Sequence, residues 1–172
     1  MAKTYTAYAT GIAFASNKSL LGIFNAHATR KVKLYRAWVL NNQTSAVTGV
    51  LTSMLLRKIS ALSAGTAVTP VAHDTGNTGV DLTSVTCVTG GTFTNTGDNA
   101  FRQIMWSGDE PAVSSATSDE LQCIVPLMCI WDSTGDSNIE PFVCNTSEGI
   151  HILQPGANAV GILDVAFEFT VS

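Results

Sequence analysis

The residues whose types and spacing could do chemistry fall into a few short stretches. Asp74-Thr75-Gly76 has the letters of a turn that aims a carboxylate at its twin. Two such carboxylates sharing one proton make an acid–base pair, and a homodimer would supply both from one motif per chain. Here the motif follows Ala72-His73 instead of a strongly apolar strand, and it runs into Asn77-Thr78-Gly79. No apolar run ending in Gly stands where a partner strand is needed. Ser133-Thr134-Gly135-Asp136 is another turn of nearly the same letters. Asp74 is therefore read as turn chemistry, and an aspartic-type hydrolase using Asp74 is kept as an alternative of another class.

The other candidates are weighed in the same way. His27, His73 and His151 are scattered, and the His-x-His pair with a nearby Glu expected of a β-sandwich metal site is missing. The expected catalytic, cofactor and metal residues are therefore none. Cys87, Cys123, Cys129 and Cys144 all sit in apolar runs without Cys-x-x-Cys spacing and are read as buried free thiols. The acidic residues Asp109-Glu110 and Asp119-Glu120 lack the Asp-x-Asp-x-Asp spacing of a calcium loop. Arg30-Lys31-Val-Lys33 with Arg36 is the main basic concentration, apart from Arg57-Lys58. It is read as the solvated face of a strand, whose lysines discourage edge pairing, with an acidic partner as the second reading.

These stretches belong to a chain of 172 residues that is 45% hydrophobic but only 13% charged, about half the usual share. That composition excludes a disordered tail. A net charge of −4 argues against a protein that tracks nucleic-acid phosphates directly. Thr4, Thr6, Thr10, Ser16, Asn17 and Lys18 interrupt every apolar run near the N-terminus, so no signal peptide is expected. No run approaches the length of a membrane helix, and no membrane partner is expected. Synthesis in a cytoplasm follows, which makes Asn17, Asn42 and Asn145 chance matches to the glycosylation pattern. So little charge would leave much neutral surface wet on a lone monomer, which favours association.

The elements that must position these residues follow a period of two. Leu163, Val165, Phe167, Phe169 and Val171 alternate with Asp164, Ala166, Glu168 and Thr170, a strand with one buried face. In Lys31–Leu40, Val32, Leu34, Trp38 and Leu40 are expected on one face, interrupted by Arg36, with Lys31, Lys33 and Tyr35 on the other. Val50–Ile59 reads as extended, with a helix over Leu55-Leu56-Arg57-Lys58 ranked second. Shorter strands are expected at Gly11–Ala15, Ser19–Asn25, Leu82–Val88, Ala100–Ser107, Leu121–Trp131, Ile139–Cys144 and Ile150–Leu153. Dense Gly, Asn and Asp punctuation separates them. The chain is expected to be all-β, a jelly-roll or Greek-key sandwich of about eight strands, because long connections at 73–81 and 107–120 suit crossing paths. Residues 1–10 are read as an N-terminal arm or an ordinary first strand, and 11–172 as a single β-sandwich domain.

Several segments together resemble small virion structural proteins of tailed bacteriophages. Lys31-Val-Lys-Leu-Tyr-Arg-Ala-Trp-Val-Leu40 is followed by an Asn-rich loop and Val50-Leu-Thr-Ser-Met-Leu-Leu-Arg-Lys-Ile59. Gly65-Thr-Ala-Val-Thr-Pro70 leads into the Asp74 turn, and Ile152-Leu-Gln-Pro-Gly156 precedes Gly161–Val171, similar to the closing strands of viral jelly rolls. The resemblance is one of style over most of the chain and carries no residue roles. It implies a non-enzymatic decoration or cement subunit of a capsid, a homotrimer that bridges the major capsid protein or other virion subunits. The implied location is the virion, after synthesis in the host cytoplasm. A tail or fibre module that binds a host receptor or glycan is the alternative.

Overall fold

The computed structural model of the chain describes residues 3–42, 51–76, 82–107, 127–156 and 161–172. Among them there is no helix. The strands are β1 (Lys3–Ala13), β2 (Lys18–Asn25), β3 (Val32–Asn41), β4 (Leu51–Ser63), β5 (Thr66–Ala67), β6 (Val71–Ala72) and β7 (Val85–Thr89). They continue with β8 (Thr92–Asn95), β9 (Arg102–Ser107), β10 (Leu127–Asp132), β11 (Phe142–Cys144), β12 (Glu148–Gln154) and β13 (Ile162–Val171). They form two antiparallel sheets packed as a β-sandwich. The first sheet runs β10-β3-β13-β1-β6, with β11 also on β3. The second runs β5-β7-β2-β12-β4-β8, with β9 also on β4. The long strands switch sheet at every step along the chain except from β4 to β9: β1, β3, β10 and β13 lie in the first, and β2, β4, β9 and β12 in the second.

Alternation builds the core. Leu163, Val165, Phe167, Phe169 and Val171 all face inward and are buried, as their spacing predicts. Across the sandwich they meet Leu21, Ile23, Met54, Leu56, Ile150 and Ile152 from β2, β4 and β12. Val50–Ile59 is extended where described, not helical, because Thr52, Met54 and Leu56 must point to one side while Leu55 and Arg57 point to the other.

Two expectations fail at β-bulges. In β3 the pairing with β13 slips, with Glu168 opposite Arg36 but Phe169 opposite Leu34. Tyr35 is the extra residue, so the inward set changes from Val32 and Leu34 to Ala37 and Val39. Trp38 and Leu40, expected beside Val32 and Leu34, therefore stand on the outer face. A second slip between Cys129 and Trp131 makes Ile130 the extra residue of β10 and leaves Cys129 exposed, not buried. Cys87 and Cys144 are buried free thiols, as expected.

Residues 3–10 lie in β1, not in an arm. Tyr5, Ala7 and Ala9 are buried, and the strand pairs with β13 along almost its whole length. The short strands β5, β6 and β8 have no counterpart in the sequence reading.

The second sheet carries a small core on its outer side as well. Beyond its pairing with β12, β4 continues alongside β8. It then turns through Ala64 and Gly65, both at positive φ, into β5, which pairs with β7 on the far flank of β2. β7 reaches β8 through only Gly90-Gly91. Two-residue links cannot go round the sheet, so the end of β4 and β8 form a ribbon that crosses over β2 and β12. Ile59, Leu62 and Val88, with Phe24 and Phe93, fill the space beneath it. Gly22 and Gly149 line its floor. A Cβ at Gly22 would stand 2.9 Å from a Leu62 methyl, and one at Gly149 would stand 2.9 Å from Ile59 and Phe24.

Candidate interaction face

The histidines go to three different places. His27 Nδ1 accepts from the amides of Thr29 and Arg30 at 3.2 and 3.1 Å, closing a turn. His73 Nε2 lies 2.7 Å from Thr6 Oγ1 on the outer side of the first sheet. His151 is fully buried beneath the ribbon, edge-on to Phe93 with ring centroids 4.5 Å apart, and its Nε2 lies 3.0 Å from Asn95 Oδ1. Burial, with a smaller push from the Arg57 charge, lowers its pKa to about 3, so the ring is neutral. Asp74 is exposed, and its Oδ1 accepts the Gly76 amide at 3.0 Å, the turn chemistry read from its sequence. Among the described residues no group of three His, Cys, Asp or Glu side chains is arranged to hold a metal ion. Cys123 and the acidic residues between 109 and 120 lie outside the described residues.

The structure instead gathers polar and aromatic side chains on the outer face of the first sheet, in cross-strand rows. One row is Thr6, Glu168, Arg36 and Asp132. Arg36 reaches Glu168 Oε2 and Asp132 Oδ2 at 3.3 Å each, and donates to Thr134 Oγ1 at 2.7 Å. The Thr134 hydroxyl and amide, and then Arg36, hold the Asp132 carboxyl below the usual carboxylate range. These groups are solvent-exposed, so the network fixes geometry more than it adds stability.

The next row is Tyr8, Ala166, Trp38 and Cys129. Tyr8 and Trp38 are two strands apart, yet their rings meet at 5.5 Å by leaning over Ala166, which is completely buried. Only a side chain as small as alanine leaves them that room. Beside them Asp164 accepts from Tyr8 Oη, the Gly11 amide and Asn42 Nδ2. Gly11, at φ +61°, belongs to the bulge that brings its amide to this carboxylate.

At the opposite end of the face two open grooves meet at Tyr35. One, of about 400 Å³, is lined by Thr4, Arg36, His73, Thr134, Glu168 and Thr170. The other, of about 390 Å³, is lined by Lys31, Lys33, Glu140, Pro141 and Val143. Tyr35 lines both because the bulge frees it from pairing with β13. The basic stretch of the sequence is thus split: Arg36 is committed to Asp132 and Glu168, whereas Lys31 and Lys33 line a groove. By contrast, the slot between the sheets, lined by Lys58, Phe101, Phe142 and Ile150, holds only about 40 Å³. Tilted rings close it, with the Phe101 and Phe142 centroids 4.4 Å apart and those of Phe142 and Trp131 4.1 Å apart.

Tyr8, Tyr35, Trp38 and Asp164 were not singled out from sequence as site residues. Their signals are the glycine inside an alternating strand at Gly11 and the broken alternation at Arg36-Ala37, both marks of a bulge. Compared with protein-family models, with curated proteins and with solved structures, the chain matches none.

Proposed function

We propose that this chain is a non-catalytic structural subunit of a virion, built as a jelly roll. On this reading it is a capsid decoration or cement protein that self-associates, as a homotrimer, and bridges neighbouring subunits of the shell. The observation that carries the reading is the strand path. β1, β13, β3 and β10 lie side by side in one sheet, and β2, β12, β4 and β9 in the other. Strands that cross between two sheets at every step but β4 to β9 support a reading as two interlocked Greek keys, an architecture used by viral capsid and lectin domains. Fold alone does not assign function, so the resemblance of the sequence to phage virion proteins supplies the rest.

The low charge of the chain supports assembly. So does the edge of the second sheet at β9, where Phe101 and Met105 are 48% and 51% exposed. Large side chains of this kind are normally covered in an obligate interface. The mass of the protein in solution, followed over dilution, tests self-association: the expected species is three times 18.1 kDa. Replacing Met105 with Asp is expected to shift it towards monomer. The cement role is tested on particles, since shells lacking the protein are expected to break under heat or osmotic shock that complete shells survive. Equal survival rejects it.

A further inference from the structure

We propose that the two grooves meeting at Tyr35 bind an acidic oligosaccharide. The argument starts from what the walls offer. Thr4 and Thr134 present hydroxyls, the latter held by Arg36 and Asp132, and Glu140 and Glu168 present acceptors. Arg36 is held in place as a donor by Asp132 and Glu168, and His73 is held by Thr6. A wall of donors and acceptors in alternation suits a ligand that is itself both, as a polyhydroxylated ring is. A bare anion such as phosphate would gain nothing from the two glutamates. The half-buried Tyr35 ring stands between the grooves, where one face of a sugar ring can lie against it.

Charge fixes the class of sugar. Among the described residues neither Lys31 nor Lys33 forms an ion pair, and both line the second groove. A carboxylate or sulfate on the ligand would answer them. Together the grooves match the size of small-ligand sites, which run to several hundred Å³. They have room for a short oligosaccharide spanning Tyr35, with acidic groups towards Lys31 and Lys33 and hydroxyls towards Thr4 and Glu168. This function goes beyond the assembly role and does not rest on it, since every residue invoked comes from one chain.

The experiment titrates the full chain with a heparin hexasaccharide, a galacturonate hexasaccharide, neutral maltohexaose and a hexaglutamate peptide. Amide NMR shifts locate binding. Saturable binding of one acidic sugar is expected, about tenfold tighter than maltohexaose or the peptide. Shifts are expected at Lys33, Tyr35, Thr170 and His73 but not at Tyr8 or Trp38. Whichever acidic sugar binds identifies sulfate or carboxylate as the anchoring group. Tyr35→Ala is expected to weaken binding about tenfold. The Lys31→Ala, Lys33→Ala pair is expected to weaken it about three- to fivefold at low salt, and less as salt is raised. Because Tyr35 sits on a bulge, the lysine pair keeps the test decisive if Tyr35→Ala fails to fold. The proposal is overturned if no acidic sugar binds saturably, if hexaglutamate binds as tightly, or if the lysine pair leaves affinity unchanged.

Discussion

Tyr8 Oη on β1 donates to Asp164 Oδ2 on β13 at 2.5 Å, and the two residues are 156 positions apart in the chain. The other carboxylate oxygen receives the Gly11 amide and Asn42 Nδ2 at 2.8 Å each. One nearly buried carboxylate therefore ties the β1 bulge and the end of β3 to the closing strand. Asp164→Asn puts an amide donor among three donors and is expected to cost about 1.5–3 kcal/mol in urea unfolding. Tyr8→Phe is expected to cost less, with a coupling between the two changes in a double-mutant cycle. A cycle without coupling contradicts the tie.

The same bond, with burial and the carboxylate charge behind it, raises the Tyr8 pKa to about 12 from an ordinary 10.0. The folded state favours the neutral phenol. Its contribution to stability is thus fully present below pH 10 and is lost as pH rises towards 12. The alkaline limb of a pH–stability curve should flatten in Tyr8→Phe, and an unchanged limb counts against the assignment.

His151 carries the opposite sign. Its neutral ring is favoured beneath the ribbon, with Arg57 facing it from β4, Asn95 and Phe93 from β8, and Gly22 from β2. Its Nδ1 and Arg57 Nε are buried without hydrogen-bond partners, so nothing there welcomes a second proton. Above the ordinary value of 6.5 the full stability is present. Below it the unfolded chain takes up a proton that the folded chain refuses until about pH 3, and stability falls by up to about 1.4 kcal/mol per pH unit. Between pH 6 and 5, before carboxylates titrate, the fall should be present in the wild type and missing in His151→Gln.

Gly149→Ala is expected to be among the most damaging single changes, at about 3 kcal/mol or more. Its Cβ would press into the Ile23 carbonyl oxygen, a backbone atom that cannot swing aside. Gly22→Ala meets the end of the Leu62 side chain and the Ser19 hydroxyl but no backbone atom, and should be milder. Thermal unfolding that ranks them the other way round would argue against a packed ribbon.

Cys129 should be the thiol that labels first in a Cys123→Ser background. It is exposed, although partial burial and the nearby Asp132 charge raise its pKa and slow the reaction. Burial pushes Cys87 and Cys144 to about 12, and they should react only on unfolding. Mass spectrometry of the native protein after a short pulse reads this directly.

The sequence made the sandwich legible wherever alternation ran unbroken. Leu163–Val171 predicts its own inward face residue by residue, because a straight strand has no freedom to do otherwise. Lys31–Leu40 does not, since one extra residue at Tyr35 reverses every side chain after it, and a bulge leaves only the weak trace of Arg36-Ala37. The interaction face was hidden for the same reason, as Trp38 reaches Tyr8 only after that reversal. The second core was hidden by distance. His151 looked like an ordinary strand residue because Phe93 and Asn95, which cover it, belong to a four-residue strand too short and Thr-rich to carry a hydrophobic pattern.

The ribbon over β2 and β12 also makes the molecule unequal in what it tolerates. The second sheet is clamped on both sides at its centre, so insertions there meet packed side chains. Among the described residues no such ribbon crosses the first sheet, and the turn between β10 and β11 rises beside it with Thr134, Gly135 and Asp136 exposed. A peptide grafted into that turn would be carried outward without entering either core, which marks one side of the sandwich as the place to display foreign sequence and the other as the place to leave alone.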